Sequence, residues 1–430
     1  MTVVLTSTQH ELGNAVGLRC RECGTLAALD DSYACFECFG PLEVAYRDVR
    51  VSRADIERGP ATIWRYAAFL PVESGVAHRP GLQPGGTQLV RADNLARALK
   101  VRTVWIKDDS GNPTHSFKDR VVAVALQNAL RLGFTTIACA STGNLANAVA
   151  AAASRAGLES VVFVPSDLEA GKIVTTAVYG GTLVSVGGTY DDVNRLCSEV
   201  AASRGWGFVN VNLRPYYAEG SKTVGFEIAE QLGWRLPDAV VAPVASGSLL
   251  TKVDKAFGEF VSAGLIPPKT PRFFGAQASG CAPVAAAFRA GDDVVRPVRP
   301  ATIAKSLAIG NPADGPYALD VVRRTGGAVT DVEDAEIIEG IQLLARTEGI
   351  FAETAGGVVV ANYLRNLRSG MISPDEEVVL LNTGDGLKTL DAVVEVARPT
   401  IDVSPSYADF EDRYNRLLER RSARSDGEAR

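Results

Sequence analysis

The sequence predicts an α/β protein of mainly parallel sheets, fronted by a small cysteine-rich module. Three observations carry that prediction. Strand-like and helix-like segments alternate from Thr103 onward. The strands are short apolar runs such as Val161-Val162-Phe163-Val164, which suit a sheet covered on both faces. Glycine-bearing turns follow several strands where the next helix would begin.

Taken in order, residues 1–60 are cysteine-rich, lack long helical periodicity and carry alternating runs such as Leu42 to Tyr46. A Gly/Pro-rich connector, Pro80 to Gly86, leads into the repeating units. Thr103 to Lys107 reads as a strand and Lys118 to Leu132 as a helix; Thr135 to Ala140 and the Ala-rich Asn144 to Ala156 repeat the pair. Ser160 to Pro165 with Lys172 to Tyr179, and Leu183 to Val186 with Asp191 to Ser203, follow. Phe208 to Val211 with Gly220 to Leu232, and Ala239 to Val244 with Leu249 to Val261, continue the pattern. Arg272 to Ala276 and Val378 to Asn382 are further strands. Tyr407 to Arg421 reads as an amphipathic helix, and Ser422 to Arg430 as a polar disordered tail. The expected organisation is a module over 1–60, a larger domain from 61–125 and 220–400, a smaller α/β domain over 126–219, and a C-terminal helix and tail over 401–430, with two main sheets.

A chain of 430 residues with 46% hydrophobic and 22% charged residues is an ordinary globular protein of two or three packed units. A net charge of −6 offers no basic footprint for nucleic acid, and no apolar run reaches a membrane span. Met1-Thr2-Val3-Val4-Leu5 has no basic n-region, so no secretion signal is read there. Seven cysteines, four of them in CxxC pairs, fit metal binding in a reducing compartment; the expectation is a cytoplasmic protein.

The chemistry starts at Ser116-Phe117-Lys118-Asp119-Arg120, where a lysine opens a helix behind the turn-rich stretch Asp108 to Thr114. Desolvation and the positive end of the helix dipole lower an ammonium pKa there, and a neutral amine can form an imine with an aldehyde. That is the chemistry of pyridoxal phosphate. A lone lysine is more often structural, so its neighbours decide. Three glycine turns sit at carboxyl ends of strands, where ligands bind in open α/β sheets. Ser141-Thr142-Gly143-Asn144 can hold a substrate carboxylate on backbone N–H groups, with the Asn144 amide reaching a phenolic oxygen. Ala245-Ser246-Gly247-Ser248-Leu249 reads as a phosphate cup. Asn382-Thr383-Gly384-Asp385-Gly386 is the third. No GxGxxG or P-loop spacing follows any strand, which disfavours nucleotide binding.

With these pieces the chain resembles the fold-type-II pyridoxal phosphate enzymes (tryptophan synthase β-like) and, among them, the threonine synthases. The resemblance spans roughly residues 85 to 395. It rests on Asn112 to Arg120, Ser141 to Asn144, Ala218-Glu219-Gly220-Ser221-Lys222-Thr223, Ile309-Gly310-Asn311-Pro312, Glu348 to Glu353 and Thr383 to Lys388. It implies two doubly wound domains, Lys118 as the imine-forming lysine with Phe117 beside it, Asn144 at the cofactor's 3-hydroxyl, residues 245–249 around its phosphate, and Thr383 against its pyridine nitrogen. A threonine hydroxyl would not hold that nitrogen protonated as a carboxylate would, and Asp385 is the lower-ranked rival. The implied reaction converts O-phospho-L-homoserine and water to L-threonine and phosphate by γ-elimination and β-hydration. A phosphorylated amino acid needs a second anion site, for which Asn212, Arg214 and Lys222 are the candidates, with Lys305 a further one. Departures from the family pattern are Gln88 where proline is usual, His115 (read as a packed side chain) where many members have a small residue, and a phosphate loop with one glycine. The neighbouring readings are a threonine/serine dehydratase or a cysteate synthase-like β-replacement enzyme. A non-catalytic zinc-ribbon regulator is the reading from another class. A homodimer is the default expectation for the fold.

Cys20-Arg21-Glu22-Cys23 and Cys35-Phe36-Glu37-Cys38 form two knuckles eleven residues apart, suited to a closed tetrahedral Zn²⁺ site of structural character. The isolated Cys139, Cys197 and Cys281 read as core residues.

Overall fold

The computed structural model describes residues 12–73 and 79–428, with 421–428 described by backbone alone; the N-terminal stretch read for a targeting signal lies outside them. Residues up to Thr389 form one compact unit and those from Leu390 a second. In chain order the strands are β1 (Ala15–Cys20), β2 (Leu26–Ala27), β3 (Leu42–Tyr46), β4 (Gln88–Arg91), β5 (Thr103–Asp108), β6 (Thr136–Ala140) and β7 (Glu159–Pro165). They continue with β8 (Thr182–Val186), β9 (Gly207–Phe208), β10 (Ala239–Pro243), β11 (Arg272–Ala278), β12 (Ala328–Val332) and β13 (Glu377–Asn382).

Three sheets result. The ribbon is antiparallel, in the order β2-β1-β3; a six-stranded sheet runs β12-β11-β10-β13-β5-β4 and a four-stranded one β8-β7-β6-β9. All pairings in the four-stranded sheet are parallel, and in the six-stranded sheet only the edge strand β4 runs antiparallel. The composition explains this: β6 and β10 are buried along their whole length, whereas Gln88 and Arg91 face water at the ends of β4.

Three expected segments differ. The strand expected over Phe208 to Val211 pairs only at Gly207–Phe208. Beyond it the Asn210 side chain takes over the ladder, its Oδ1 accepting from Ala140 N at 3.2 Å and its Nδ2 donating to Ala140 O at 3.2 Å. The helix expected from Gly220 starts earlier, as Arg214–Gly220 with Pro215 in its first turn, followed by Lys222–Gln231. In the second unit a helix covers Tyr407–Glu428, so the stretch from Ser422 expected to be disordered is helical as far as Glu428.

The helix Lys118–Arg131 is the hub. Its apolar residues Val121, Val122, Ala125 and Leu126 share a core with Leu18, Leu42 and Val44 of the ribbon and Ile137 of β6. Its N-terminal turn is tied down by charge. Arg120, fully buried, meets Asp109 Oδ2 and Glu227 Oε2 at 2.7 Å each, and Lys107 meets Glu227 Oε2 at 2.6 Å. Thr87 Oγ1 accepts from Arg120 Nη2 at 2.8 Å, so both guanidinium faces are satisfied. Such a cluster gains its value from being complete, since removing one member strands a buried charge. Asp119 closes the approach loop, accepting from Thr114 N at 2.6 Å and Thr114 Oγ1 at 2.7 Å.

Candidate active site

Lys118 is set at its helix start by two crossing segments. Phe117 N donates to Thr383 O at 3.0 Å, and Ser116 bridges Gly384, so the lysine's turn is stitched to the loop after β13. Lys118 Nζ donates to Tyr217 Oη at 3.0 Å and lies 4.5 Å from the centre of the Phe117 ring. Burial brings its ammonium down to about 8, outweighing the upward pull of the Glu353 carboxylate and of Cys139. Burial holds the Tyr217 phenol well above its ordinary value, so it stays protonated.

These groups face a cavity of about 190 Å³. Of the residues singled out in the sequence, it brings together Phe117, Lys118, Ser141, Thr142, Asn144, Arg214, Ala245, Ser246, Gly247, Ser248, Leu249 and Thr383. Gly143 sits at the start of the helix Asn144–Ala156 with φ 121°, and a Cβ there would meet the Lys172 side chain at 2.1 Å, so the turn needs glycine. Arg214 Nη2 pairs with Asp314 Oδ2 at 2.9 Å on the cavity wall.

Other candidates are elsewhere. Lys222 is wholly buried, donating to Phe69 O at 2.6 Å and pairing with Glu219 at 2.7 Å and Glu259 at 3.0 Å; it braces the helices under the ribbon and cannot reach the cavity. Asn212 closes its own turn, accepting from Phe208 N at 2.7 Å and donating to Trp206 O at 3.1 Å. Lys305 pairs with Asp167 at 3.0 Å and lines a neighbouring cavity, which shares Thr142 and Tyr190 with the first. Asp385 spends its carboxylate on Leu387 N at 2.8 Å. His115, expected to be packed, is exposed, with φ 60° and its Nδ1 3.3 Å from Ser110 O.

Two groups at the centre carried no sequence signal of their own. Tyr217 lies in the short helix that the strand–helix alternation passed over. Glu353 belongs to the quoted stretch Glu348 to Glu353, yet nothing in its spacing marks it. It is buried and accepts from Asn144 Nδ2 at 3.0 and 2.8 Å and from Thr383 Oγ1 at 3.5 Å.

The cavity fits pyridoxal phosphate. Asn144 Oδ1 and Ser306 Oγ are buried without a hydrogen-bond partner, and both residues line it, leaving polar atoms for a ring hydroxyl or phosphate to satisfy. Gly247 adopts φ 96°, and a Cβ on it would come 2.6 Å from Asp314 O, which keeps the loop's backbone bare at the start of the helix Ser248–Ser262.

At the ribbon, the four Sγ atoms of Cys20, Cys23, Cys35 and Cys38 lie within 4.8 Å of one another. The Cys20–Cys38 and Cys23–Cys35 separations are 3.4 and 3.6 Å, near the roughly 3.8 Å edge of a tetrahedron of thiolates around a small divalent ion. Glu22 N and Glu37 N each point at a knuckle sulfur at 3.4 Å, as metal thiolates favour. The remaining three cysteines are buried and free.

Residues 81–384 match the family model of pyridoxal-phosphate dependent enzymes, a span that holds Lys118, the first two glycine turns and the third as far as Gly384. The class is thereby defined: a fold-type-II enzyme dependent on pyridoxal phosphate. The threonine synthase of Methanocaldococcus jannaschii is 36% identical over 394 residues, which cover 90% of this chain and 96% of that protein. That of Methanosarcina acetivorans is 36% identical over 394 residues, covering 89% and 95%. The chain belongs to the threonine synthase family, carbon–oxygen lyases. Among solved structures, an L-serine ammonia-lyase from Rhizomucor miehei matches with a TM-score of 0.62 at 23% identity, over 72% of this chain and 96% of that one. The processed form of threonine deaminase isoform 2 from Solanum lycopersicum matches at 0.60 and 22%, over 73% and 88%. At these identities the likeness bears on the fold alone.

Proposed function

We propose that the cavity converts O-phospho-L-homoserine and water to L-threonine and phosphate, with Lys118 as the acid–base group and Arg214 at the phosphate. The observation that carries this reading is that one cavity is lined both by Lys118, whose ammonium burial brings down to about 8, and by the Arg214 guanidinium. Residues 246–249 would hold the phosphate of pyridoxal phosphate, with Asn144 and Thr383 beside its ring, and the bound cofactor would supply an electron sink for charge developing on the substrate carbons. Lys118 would take a proton from Cα and return protons along the carbon chain, with the Tyr217 hydroxyl holding its Nζ in place. The N–H groups of Thr142 and Asn144 would face the substrate carboxylate, those of Ser141 and Gly143 being taken by Phe163 O and Ser141 Oγ. Arg214 offers the leaving phosphate a fork of donors, which a dehydratase acting on an unphosphorylated amino acid would not need. The ribbon would hold one structural Zn²⁺ on Cys20, Cys23, Cys35 and Cys38, away from the chemistry.

The test is a paired assay of released phosphate and threonine on O-phospho-L-homoserine, with Arg214→Ala alongside. Equal release of the two products, and an Arg214→Ala variant whose KM rises about 100-fold, support the reading. Phosphate appearing with a keto acid in place of threonine would count against it.

A further inference from the structure

The cavity wall does not end at Arg214. Asp314 is shared: its Oδ2 pairs with Arg214 Nη2 at 2.9 Å, and its Oδ1 lies 3.5 Å from Nη1 of Arg21, a residue of the first CxxC knuckle. The Asp314 backbone also belongs to the site, since its N–H donates to Ser246 O at 2.8 Å and its carbonyl is the atom that keeps Gly247 free of a side chain. Arg21 is held on its own side. Its guanidinium stacks 3.5 Å over the Tyr317 ring, the Tyr317 hydroxyl donates to Glu22, and Arg21 N donates to Pro41 O at 3.0 Å. Gly40 makes room for this packing, because a Cβ there would meet Glu22 Cγ at 2.7 Å and Cys20 Sγ at 2.9 Å.

We infer that Arg21 is a positioning residue for substrate phosphate: it shares the Asp314 carboxylate, so that Arg214, though paired with Asp314 at 2.9 Å, is not fully neutralised and can bind an anion. The inference rests on the reading of Arg214 as the phosphate site. Two guanidiniums around one carboxylate leave a net positive charge at the wall; with Arg21 gone, Asp314 and Arg214 neutralise each other and an incoming dianion meets a neutral pair. All three groups are mostly shielded, with side-chain exposures of 21% for Arg21, 10% for Asp314 and 30% for Arg214, so the effect is damped by solvent but not abolished. The cysteine ribbon thereby acquires a task in specificity beyond its packing against the helix that Lys118 opens. Dephosphorylated substrates should be indifferent to it.

The experiment uses the full-length holoenzyme. For Arg21→Ala, the KM for O-phospho-L-homoserine and the Kd for inorganic phosphate, read by calorimetry, rise about five- to ten-fold while kcat stays within about two-fold. Arg21→Lys, which keeps the charge, restores most of the affinity. Arg21→Ala in an Arg214→Ala background adds little to either constant, because both changes act through one carboxylate. Cofactor absorbance and bound metal are measured for each variant, and Arg21→Gln stands in should the alanine variant not fold. An Arg21→Ala or Arg21→Gln enzyme with unchanged KM and phosphate affinity, beside an Arg214→Ala enzyme with raised KM, overturns the inference and leaves the Arg214 reading standing. So does full additivity of the two, or an Arg21→Lys variant no better than alanine. If Arg214→Ala itself leaves KM unchanged, it is the reading of the phosphate site that fails.

Discussion

Lys118 Nζ and Tyr217 Oη meet at 3.0 Å although 99 residues separate them, because the helix that Lys118 opens lies against the short helix Arg214–Gly220. The contact gives the amine an acceptor that does not carry charge, since Tyr217 stays protonated. A buried ammonium whose hydrogen bond goes to a neutral phenol has lost more solvation than it has regained, even with the Glu353 carboxylate pulling the other way, which is why it titrates near 8 instead of 10.5.

The first prediction follows from that titration. Only the neutral amine attacks an aldehyde, so uptake of pyridoxal phosphate by cofactor-free protein should accelerate about ten-fold per pH unit up to about 8 and level off above it. Tyr217→Phe removes an acceptor from the ammonium and therefore shifts the midpoint downward. Stopped-flow absorbance across pH 6 to 10 reads both. A wild-type midpoint near 10.5 would refute the account, as would a pyridoxyl label found, after borohydride reduction, anywhere but Lys118.

Glu353 tests the same balance from the other side. Its carboxylate pulls the Lys118 pKa up and accepts both short contacts from Asn144 Nδ2. Glu353→Gln removes the charge at nearly constant shape, so the uptake midpoint should fall below 8. Glu353→Ala does this too, and in addition leaves a buried amide without an acceptor, at a cost of about 1–3 kcal/mol in chemical denaturation. Equal stability of the glutamine and alanine variants would contradict the role given to the Asn144 contact.

Lys118 and the glycine turns could be read from the sequence because each is a local signal: a polar turn, a strand end, a helix start. The apolar runs of β7 and β10 likewise declared a sheet buried on both faces. What stayed hidden depends on distant partners. Lys222 looks like a phosphate ligand beside Glu219 and Gly220, but Glu259, 37 residues on, claims its ammonium. Asn212 looks available until Phe208 N and Trp206 O are seen to use both ends of its amide. Glu353 is the converse, an acid without periodicity whose purpose is set by Asn144, 209 residues earlier. The early end of the strand after Phe208 was masked because Asn210 stands in for a strand partner through its side chain, a substitution no pattern of hydrophobicity records.

The cysteine cluster gives a third prediction. The ribbon's Leu18, Leu42 and Val44 are buried in the same core as Val121 and Leu126, so its folding supports the helix that carries Lys118. A ribbon of three short strands has too little core to hold this shape unaided, and a metal on the four thiols would supply the difference. Cys35→Ser, at a buried ligand, should reduce bound metal from about one per chain to below a tenth, lower the unfolding temperature by several degrees and weaken cofactor retention. Elemental analysis with calorimetry decides; a metal-free wild type of unchanged stability would show the four thiols to be idle.

The fourth prediction concerns the charge cluster under Lys118. Glu227 is the only carboxylate that touches both Lys107 and Arg120 among the described residues, and all three side chains are at most 3% exposed. Burial alone would raise the Glu227 pKa, but Arg120 and Lys107 overcome it and hold the carboxyl well below its ordinary value of 4.5. A carboxylate depressed in the folded state adds stability that is present in full above the unfolded pKa and is lost as pH falls through and below it. Wild-type stability should therefore decline steeply below about pH 4.5, and Glu227→Gln should show a shallower decline from a lower starting point. At pH 7, Glu227→Ala leaves Lys107 buried without its carboxylate and Arg120 with Asp109 alone, and should cost about 3–5 kcal/mol, more than a cavity of that size explains. Denaturant titrations of the three proteins at pH 7 and pH 4 separate the terms: if Glu227→Ala and Glu227→Gln lose less than about 1 kcal/mol at pH 7, the cluster is not what anchors Arg120.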